Sequence, residues 1–178
     1  HGAPERIRVM AKPHIGTDVL IKVVRNIREH ILNLGGEIRF GCKMERLIIE
    51  GGKLRGIIVS HKGEEKRIDC DKLILAIGHS ARDSFEALHA QGVPMQPKAF
   101  SMGVRIEHLQ SSIDKAQYGA CDPALPPADY KLVKHLEDET VYTFCMCPGG
   151  YVVAAASEAG GTVTNGMSNA DRGGENAN

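Results

Sequence analysis

An open α/β sheet followed by a β-rich second domain is the architecture this sequence predicts, and three observations predict it. The run Lys72-Leu73-Ile74-Leu75-Ala76-Ile77-Gly78 is apolar without alternation, the pattern of a strand buried on both faces of a parallel sheet. Ahead of it, residues 42–70 break into three alternating segments separated by glycine turns, a hairpin succession. Upstream of those, a periodic segment ends on Gly35-Gly36 and leads into a short alternating stretch, the order helix, glycine, strand of an α/β step.

The elements follow in chain order. After the loop Lys12-Pro13-His14-Ile15-Gly16, Thr17 or Asp18 is placed to cap a helix whose apolar face is Leu20, Val23, Val24, Ile27, Ile31 and Leu34. His14 stands just before that N-terminus, where an anion could be received, although simple capping is the commoner arrangement. Glu37–Phe40 alternates as a strand. Strands over 44–50, 54–60 and 66–70 turn through Gly51-Gly52 and Lys62-Gly63, and the buried run 73–77 comes next. Asp83, with Glu86 three residues on, caps a short helix that buries Phe85 and Leu88 and ends at Gly92. The prolines of Val93-Pro94-Met95-Gln96-Pro97-Lys98 stop any helix and mark a linker. Beyond it, 100–106 reads as a strand, 109–117 as a short helix and 119–128 as an Ala- and Pro-rich loop. Residues 130–136, 141–146 and 152–156 read as antiparallel strands, and the tail 160–178 is rich in Gly, Asn and Ser. A tail of that composition is either disordered or wrapped around a ligand. The domain boundaries expected are 1–91, with a meander at about 42–70, then 92–160, then the loop segment 161–178 leading back to the first domain.

A chain of 178 residues has room for a real core. Lys plus Arg equals Asp plus Glu at 22 each, so nothing electrostatic points to nucleic acid or an anionic membrane as partner. The absence of tryptophan and the 4% aromatic content argue against a stacking platform for single strands. No apolar run approaches a membrane span. Five cysteines, Cys42, Cys70, Cys121, Cys145 and Cys147, are an odd number in a chain of this size. That disfavours a disulfide framework and favours a reducing cytoplasm. Neither G-x-G-x-x-G nor G-x-x-x-x-G-K-[ST] occurs, so the pyrophosphate-cradling turn of a complete dinucleotide-binding unit is not encoded. With no opening methionine and no obvious terminal element, the chain reads as an internal piece of a longer polypeptide.

Several stretches carry a family resemblance. They are Lys12-Pro13-His14-Ile15-Gly16-Thr17-Asp18, Ala76-Ile77-Gly78-His79-Ser80-Ala81-Arg82-Asp83, Phe100-Ser101-Met102-Gly103-Val104-Arg105-Ile106-Glu107, Cys145-Met146-Cys147-Pro148-Gly149-Gly150 and Asn165-Gly166-Met167-Ser168. With them, the chain resembles FAD-dependent dehydrogenases related to aminoacetone-oxidase-like flavoproteins, in the glutathione-reductase-like two-domain class. The resemblance implies the later part of a Rossmann-like FAD-binding domain joined to a β-rich substrate domain. It implies FAD in the parent protein, with the flavin exchanging a hydride with a small-molecule substrate. The adenosine-binding turn would precede residue 1, and the segment closing over the isoalloxazine would follow residue 178. The N- and C-terminal parts of the same polypeptide are therefore expected partners, and the fragment alone is expected neither to retain FAD nor to be active.

Site candidates stand beside plainer readings. Ala76, Ile77, Gly78 and His79 form either a plain strand end or a turn close to the dinucleotide. His79 is a candidate proton shuttle, since histidine ordinarily titrates near neutral pH, although a strand-end histidine is more common. Cys145 and Cys147, two apart on an expected strand, would share a face. No partner C-x-x-C or H-x-x-x-H accompanies them, which leaves metal last. Half-buried packing is the plainest role for the pair, and a flavin- or substrate-facing role rests on the resemblance. Pro148, Gly149 and Gly150 allow either a tight turn or a close backbone approach to a planar cofactor. Arg105 shares a face with Glu107 and could clamp an acidic substrate, with a surface ion pair as the commoner alternative. The reacting groups would meet in a crevice lined by 76–79 and 145–150. The leading expectation is a piece of an FAD-dependent oxidoreductase. Its rivals are a flavoprotein acting on RNA and a non-catalytic scaffold.

Overall fold

The computed structural model describes residues 1–120 and 122–178. Cys121, one of the five cysteines and part of the loop expected at 119–128, lies outside the described residues. Three α-helices and nine short strands are present among the described residues, and every ladder is antiparallel. The chain divides into two units, Glu37–Ser101 and the combination of His1–Gly36 with Met102–Asn178.

The first unit is the meander with one helix. Strands β1 (Cys42–Glu50), β2 (Lys53–His61) and β3 (Glu64–Asp69) pair in that order. Both connections are two-residue loops with positive φ at each residue, Gly51-Gly52 and Lys62-Gly63, as the right-handed twist of a hairpin requires. Val59 on the central strand is buried. Helix α2 (Arg82–Ala90) lies against β1 and buries Leu88, which is 2% exposed. Just after it, Gln91 behaves like a strand residue: its Oε1 accepts the Leu47 N–H at 2.8 Å and its Nε2 donates to the Leu47 carbonyl at 3.0 Å. One side-chain amide thus satisfies both groups that Leu47 presents on the outer edge of β1.

The second unit combines an N-terminal helix with the C-terminal strands. A 3₁₀ turn at Glu5–Arg8 precedes α1 (Thr17–Asn33). Strand β4 (His108–Leu109) runs into α3 (Gln110–Tyr118), and β5 (Val133–His135) pairs with β6 (Thr140–Tyr142). Strand β7 (Gly150–Ala154) pairs with β8 (Thr164–Ser168), and β9 (Asn176–Ala177) returns to β4. The Gly/Asn/Ser tail is therefore ordered by pairing, contrary to its composition. Its anchors also account for the start of α1, where Gly16 rather than Thr17 or Asp18 is the cap residue. Thr17 Oγ1 donates to the Ser168 carbonyl at 3.0 Å, and Asp18 Oδ1 accepts the Ala170 N–H at 2.9 Å. Both side chains reach across to the tail instead of folding back on their own helix.

Other expectations need correction. The run 73–77 is no strand, and Ile74 is 90% exposed. A parallel strand exists only through its neighbours, and no parallel ladder forms among the described residues to receive it. Residues 100–106 alternate correctly but are exposed and join no ladder among the described residues. Glu37–Phe40 likewise forms no strand, and 143–149 is not a strand, so the shared strand face expected for Cys145 and Cys147 does not form. On the expected apolar face of α1 only Val23 is buried, and in α2 Phe85 remains 39% exposed. Asp83 is not the cap of α2. Its Oδ1 takes the N–H of the adjacent Ser84 at 2.8 Å, and its Oδ2 takes the Lys43 ammonium at 2.8 Å. That lysine bond, then the Ser84 N–H, holds the carboxyl below its ordinary range.

The contrast between Leu88 and Ile74 is directly testable. Leu88→Ala is expected to cost about 2–5 kcal/mol in denaturant unfolding. Ile74→Ser is expected to stay within about 0.5 kcal/mol, as exposed positions do. A large loss at Ile74 would restore the buried strand.

Candidate functional site

The second unit brings Cys145, Cys147, Pro148, Gly149, Gly150 and Arg105 into one place, around the turn at Cys147–Gly150. Pro148 is fully buried, and Gly149 and Gly150 are buried with it. Gly149 adopts φ +58, and a side chain there would run into the Arg172 carbonyl. Gly174 also passes close, its N–H donating to the Gly149 carbonyl at 3.1 Å. Only glycine combines that φ with so near a backbone. The close approach for which this turn is built is thus to the tail of its own chain.

Gln110 fixes the turn from below. Buried at the start of α3, it accepts the Gly149 N–H on Oε1 at 2.9 Å and donates from Nε2 to Asp114 Oδ1 at 2.8 Å and the Ala128 carbonyl at 3.0 Å. Its own N–H donates to the Glu175 carbonyl at 2.8 Å. Every polar group of this buried amide is matched, which is what makes such a group rigid rather than costly. The Cys147 N–H in turn donates to the Asn178 carbonyl at 2.7 Å. The amides of Cys147 and Gly149 are both spent internally, so the turn offers a ligand its side chains.

Those side chains differ. Cys145 is exposed and Cys147 half-buried, and both are free thiols. Burial first, then the nearby Cys145, pushes the Cys147 thiol above its ordinary value, against the opposing pull of Arg105 and Arg172. Cys147 is therefore a proton holder near neutral pH and a poor nucleophile. Arg105 does not pair with Glu107. Its Nη1 donates to Asn178 Oδ1 at 3.1 Å, while Glu107 Oε1 accepts from Asn176 Nδ2 at 3.4 Å. Gln110, Arg172 and Asn178 were silent in the sequence. A lone polar residue at a helix start or in a polar tail reads as a cap or as solvent-facing, and only the fold shows Gln110 and Asn178 buried and Arg172 half-buried.

In the first unit, Ala76, Ile77, Gly78 and His79 are exposed. Gly78 has φ +70, and a side chain there would meet nothing within 4 Å, so its backbone is open to a close-lying group. His79 follows in a turn, with an exposed side chain. No group of three or more metal-ligating side chains occurs among the described residues, and no helix among them is long and apolar enough to cross a membrane.

Comparison with known proteins adds a class to this geometry. Residues 99–178 match the family model described as FAD-dependent protein, C-terminal domain-like. Over 99% of its length the chain is similar, at 51% identity, to a protein of Clostridium beijerinckii that bears the name "Uncharacterized protein". The chain spans 33% of that relative's length. The match ties residues 99–178, which include the whole 147–150 turn and its tail, to an FAD-dependent class of protein. It carries no substrate and no reaction with it.

The state of Cys147 predicts a pH dependence. Its folded value lies above its unfolded one, so its contribution to stability is complete below the unfolded value and is lost as pH rises through the folded one. Alkylation of Cys147 by iodoacetamide, followed by peptide mass analysis, is expected to accelerate at higher pH in the native chain than in the denatured chain. Equal pH profiles would show that the thiol is not held by the fold.

Proposed function

We propose that this chain is part of an FAD-dependent oxidoreductase that moves a hydride between flavin and a small-molecule substrate. The observation that carries the reading is the family match over 99–178, the segment that builds the tied turn beside two thiols and two arginines. When bound, FAD supplies the two-electron chemistry. The chain's own residues divide the remaining tasks. Gly78 offers bare backbone on which a flat group can lie, flanked by Ala76, Ile77 and His79. Pro148, Gly149 and Gly150 act by rigidity, holding Cys147 where its thiol keeps a proton on Sγ. Cys145, exposed beside it, is the thiol open to substrate, and Arg105 supplies the fixed positive charge. The open backbone at Gly78 suits a bound dinucleotide. The missing glycine-rich turn means that this chain by itself does not cradle the pyrophosphate.

The same reading assigns the exposed apolar run 73–77 and the exposed α1 positions Leu20, Val24, Ile27 and Ile31 to contact with other parts of the same polypeptide. Support comes from the length of the Clostridium relative, three times the span of this chain, and from the cost of leaving contiguous apolar surface in water.

Absorbance spectra of the purified Clostridium relative and of this chain test the proposal. Flavin bands that travel with the relative and are released on denaturation are the expected result, with this chain colourless. A relative that is colourless and does not take up added FAD would overturn it.

A further inference from the structure

We propose that Cys145 and Cys147 form a thiol–disulfide exchange pair, in which Cys145 attacks a small-molecule disulfide and Cys147 resolves the mixed disulfide by closing a ring with it. This activity lies beyond the hydride transfer proposed above and needs no flavin.

Covalent reach sets the first condition. Two residues apart, the α-carbons are separated by at most about 7 Å, the upper end of what a disulfide spans, so the backbone between them must bend. A strand ladder would hold that backbone straight. The structure places 143–147 outside every strand. The Thr143 N–H donates to the Leu132 carbonyl at 2.9 Å, and the Cys147 N–H to the Asn178 carbonyl at 2.7 Å. Between those two anchors, Cys145 and Met146 enter no hydrogen bond among the described residues. The segment is tied at its ends and free at its middle, and no bond has to break for Cys145 to turn toward Cys147.

The two thiols are placed unequally. Cys145 is exposed and Cys147 half-buried. Cys147 fits between two glycines: a side chain at Gly150 would come within 2.9 Å of its Cβ, and one at Gly166 within 2.9 Å of its Sγ. Bare backbone on β7 and β8 is what leaves room for this thiol and fixes its position. The same Gly166 side chain would meet Arg105 Nη1 at 2.7 Å, so the guanidinium and the sulfur are neighbours over one α-carbon. An accessible thiol next to a fixed one is the arrangement of an attacking and a resolving cysteine. Burial keeps the Cys147 proton in place, and the Arg105 charge favours the thiolate that must form when the ring closes.

The exchange balances without a further oxidant. The Cys145 thiolate bonds to one sulfur of R–S–S–R, that S–S bond breaks, and the departing R–S⁻ takes a proton from water. Cys147 then gives its proton to solvent, its Sγ bonds to Cys145 Sγ, and the second R–S⁻ leaves and is protonated. The dithiol is oxidised by two electrons and the small disulfide is reduced to two thiols. Closure competes despite the reluctant Cys147 proton because it is intramolecular. A ring this short is strained, and strained, exposed disulfides are the oxidising, readily reopened ones.

The test incubates the native chain with oxidised and reduced glutathione, traps free thiols with N-ethylmaleimide and measures peptide masses. The peptide holding 145–147 is expected to lack two hydrogens and to carry neither maleimide nor glutathione. Cys147→Ser should stop at glutathione bound to Cys145, and Cys145→Ser should leave Cys147 labelled by maleimide. Arg105→Gln should slow ring closure several-fold, and Arg105→Lys should restore it. Glutathione retained on Cys145 as the end product in the unaltered chain overturns the pair. So does a ring that closes only in urea, or oxidation spread equally over the Cys42 and Cys70 peptides. None of these outcomes depends on flavin, which the absorbance spectra read separately.

Discussion

The structure around the candidate site depends on one constraint, the near contact of two backbones at Gly149 and the segment 172–174. The Gly149 carbonyl takes the Gly174 N–H, its own N–H goes to Gln110, and the space where a side chain would stand is filled by the Arg172 carbonyl. With that contact in place, Cys147 can reach the Asn178 carbonyl, β7 can pair with β8, and β9 can return to β4. The tail is then pinned again at α1 through Thr17, Asp18 and His14, whose Nε2 lies 2.8 Å from the Asn169 carbonyl. A segment with scarcely any apolar side chain is ordered by spending its backbone groups one after another.

The sequence made the local elements legible. The glycine pairs at 35–36 and 51–52, the Lys62-Gly63 turn and the periodicity of α1 place their elements to within a residue or two, because the signals lie inside the elements themselves. Burial was not legible in the same way. Leu73–Ile77 and Phe100–Ile106 carry strand patterns, yet a pattern does not name its ladder partner, and neither segment finds one among the described residues. Capping shows the same limit. Thr17, Asp18 and Asp83 have the right side chains at helix starts, but a tail carbonyl takes the Thr17 hydroxyl, a tail amide takes Asp18, and Asp83 is shared between the Lys43 ammonium and the adjacent Ser84 N–H.

For the candidate site, the sequence marked the turn at Cys145–Gly150 and missed the groups that hold it in place. Cys145 to Gly150 stood out by composition, and Arg105 by the strand face it was expected to share with Glu107. Gln110, Arg172 and Asn178 become informative only through partners that lie 39, 23 and 73 residues away in the chain, on Gly149, on Gly149 again and on Arg105. The functional consequence is a shift of emphasis from backbone to side chains. The glycines of the turn serve the fold, and what stands beside the turn are two thiols and the Arg105 guanidinium, with the thiol of Cys147 held neutral. That division fits a protein in which a bound cofactor does the electron chemistry while the polypeptide orients and charges the substrate's surroundings.

Amide hydrogen exchange at single-residue resolution tests this account most directly. The account predicts that the Cys147, Ala170 and Gly174 N–H groups exchange together and far more slowly than the exposed amides of 73–77, since their bonds open only when the tail detaches as a unit. Exchange of the three tail-contact amides at unprotected rates would contradict it, because the turn would then lack the partner that shapes it.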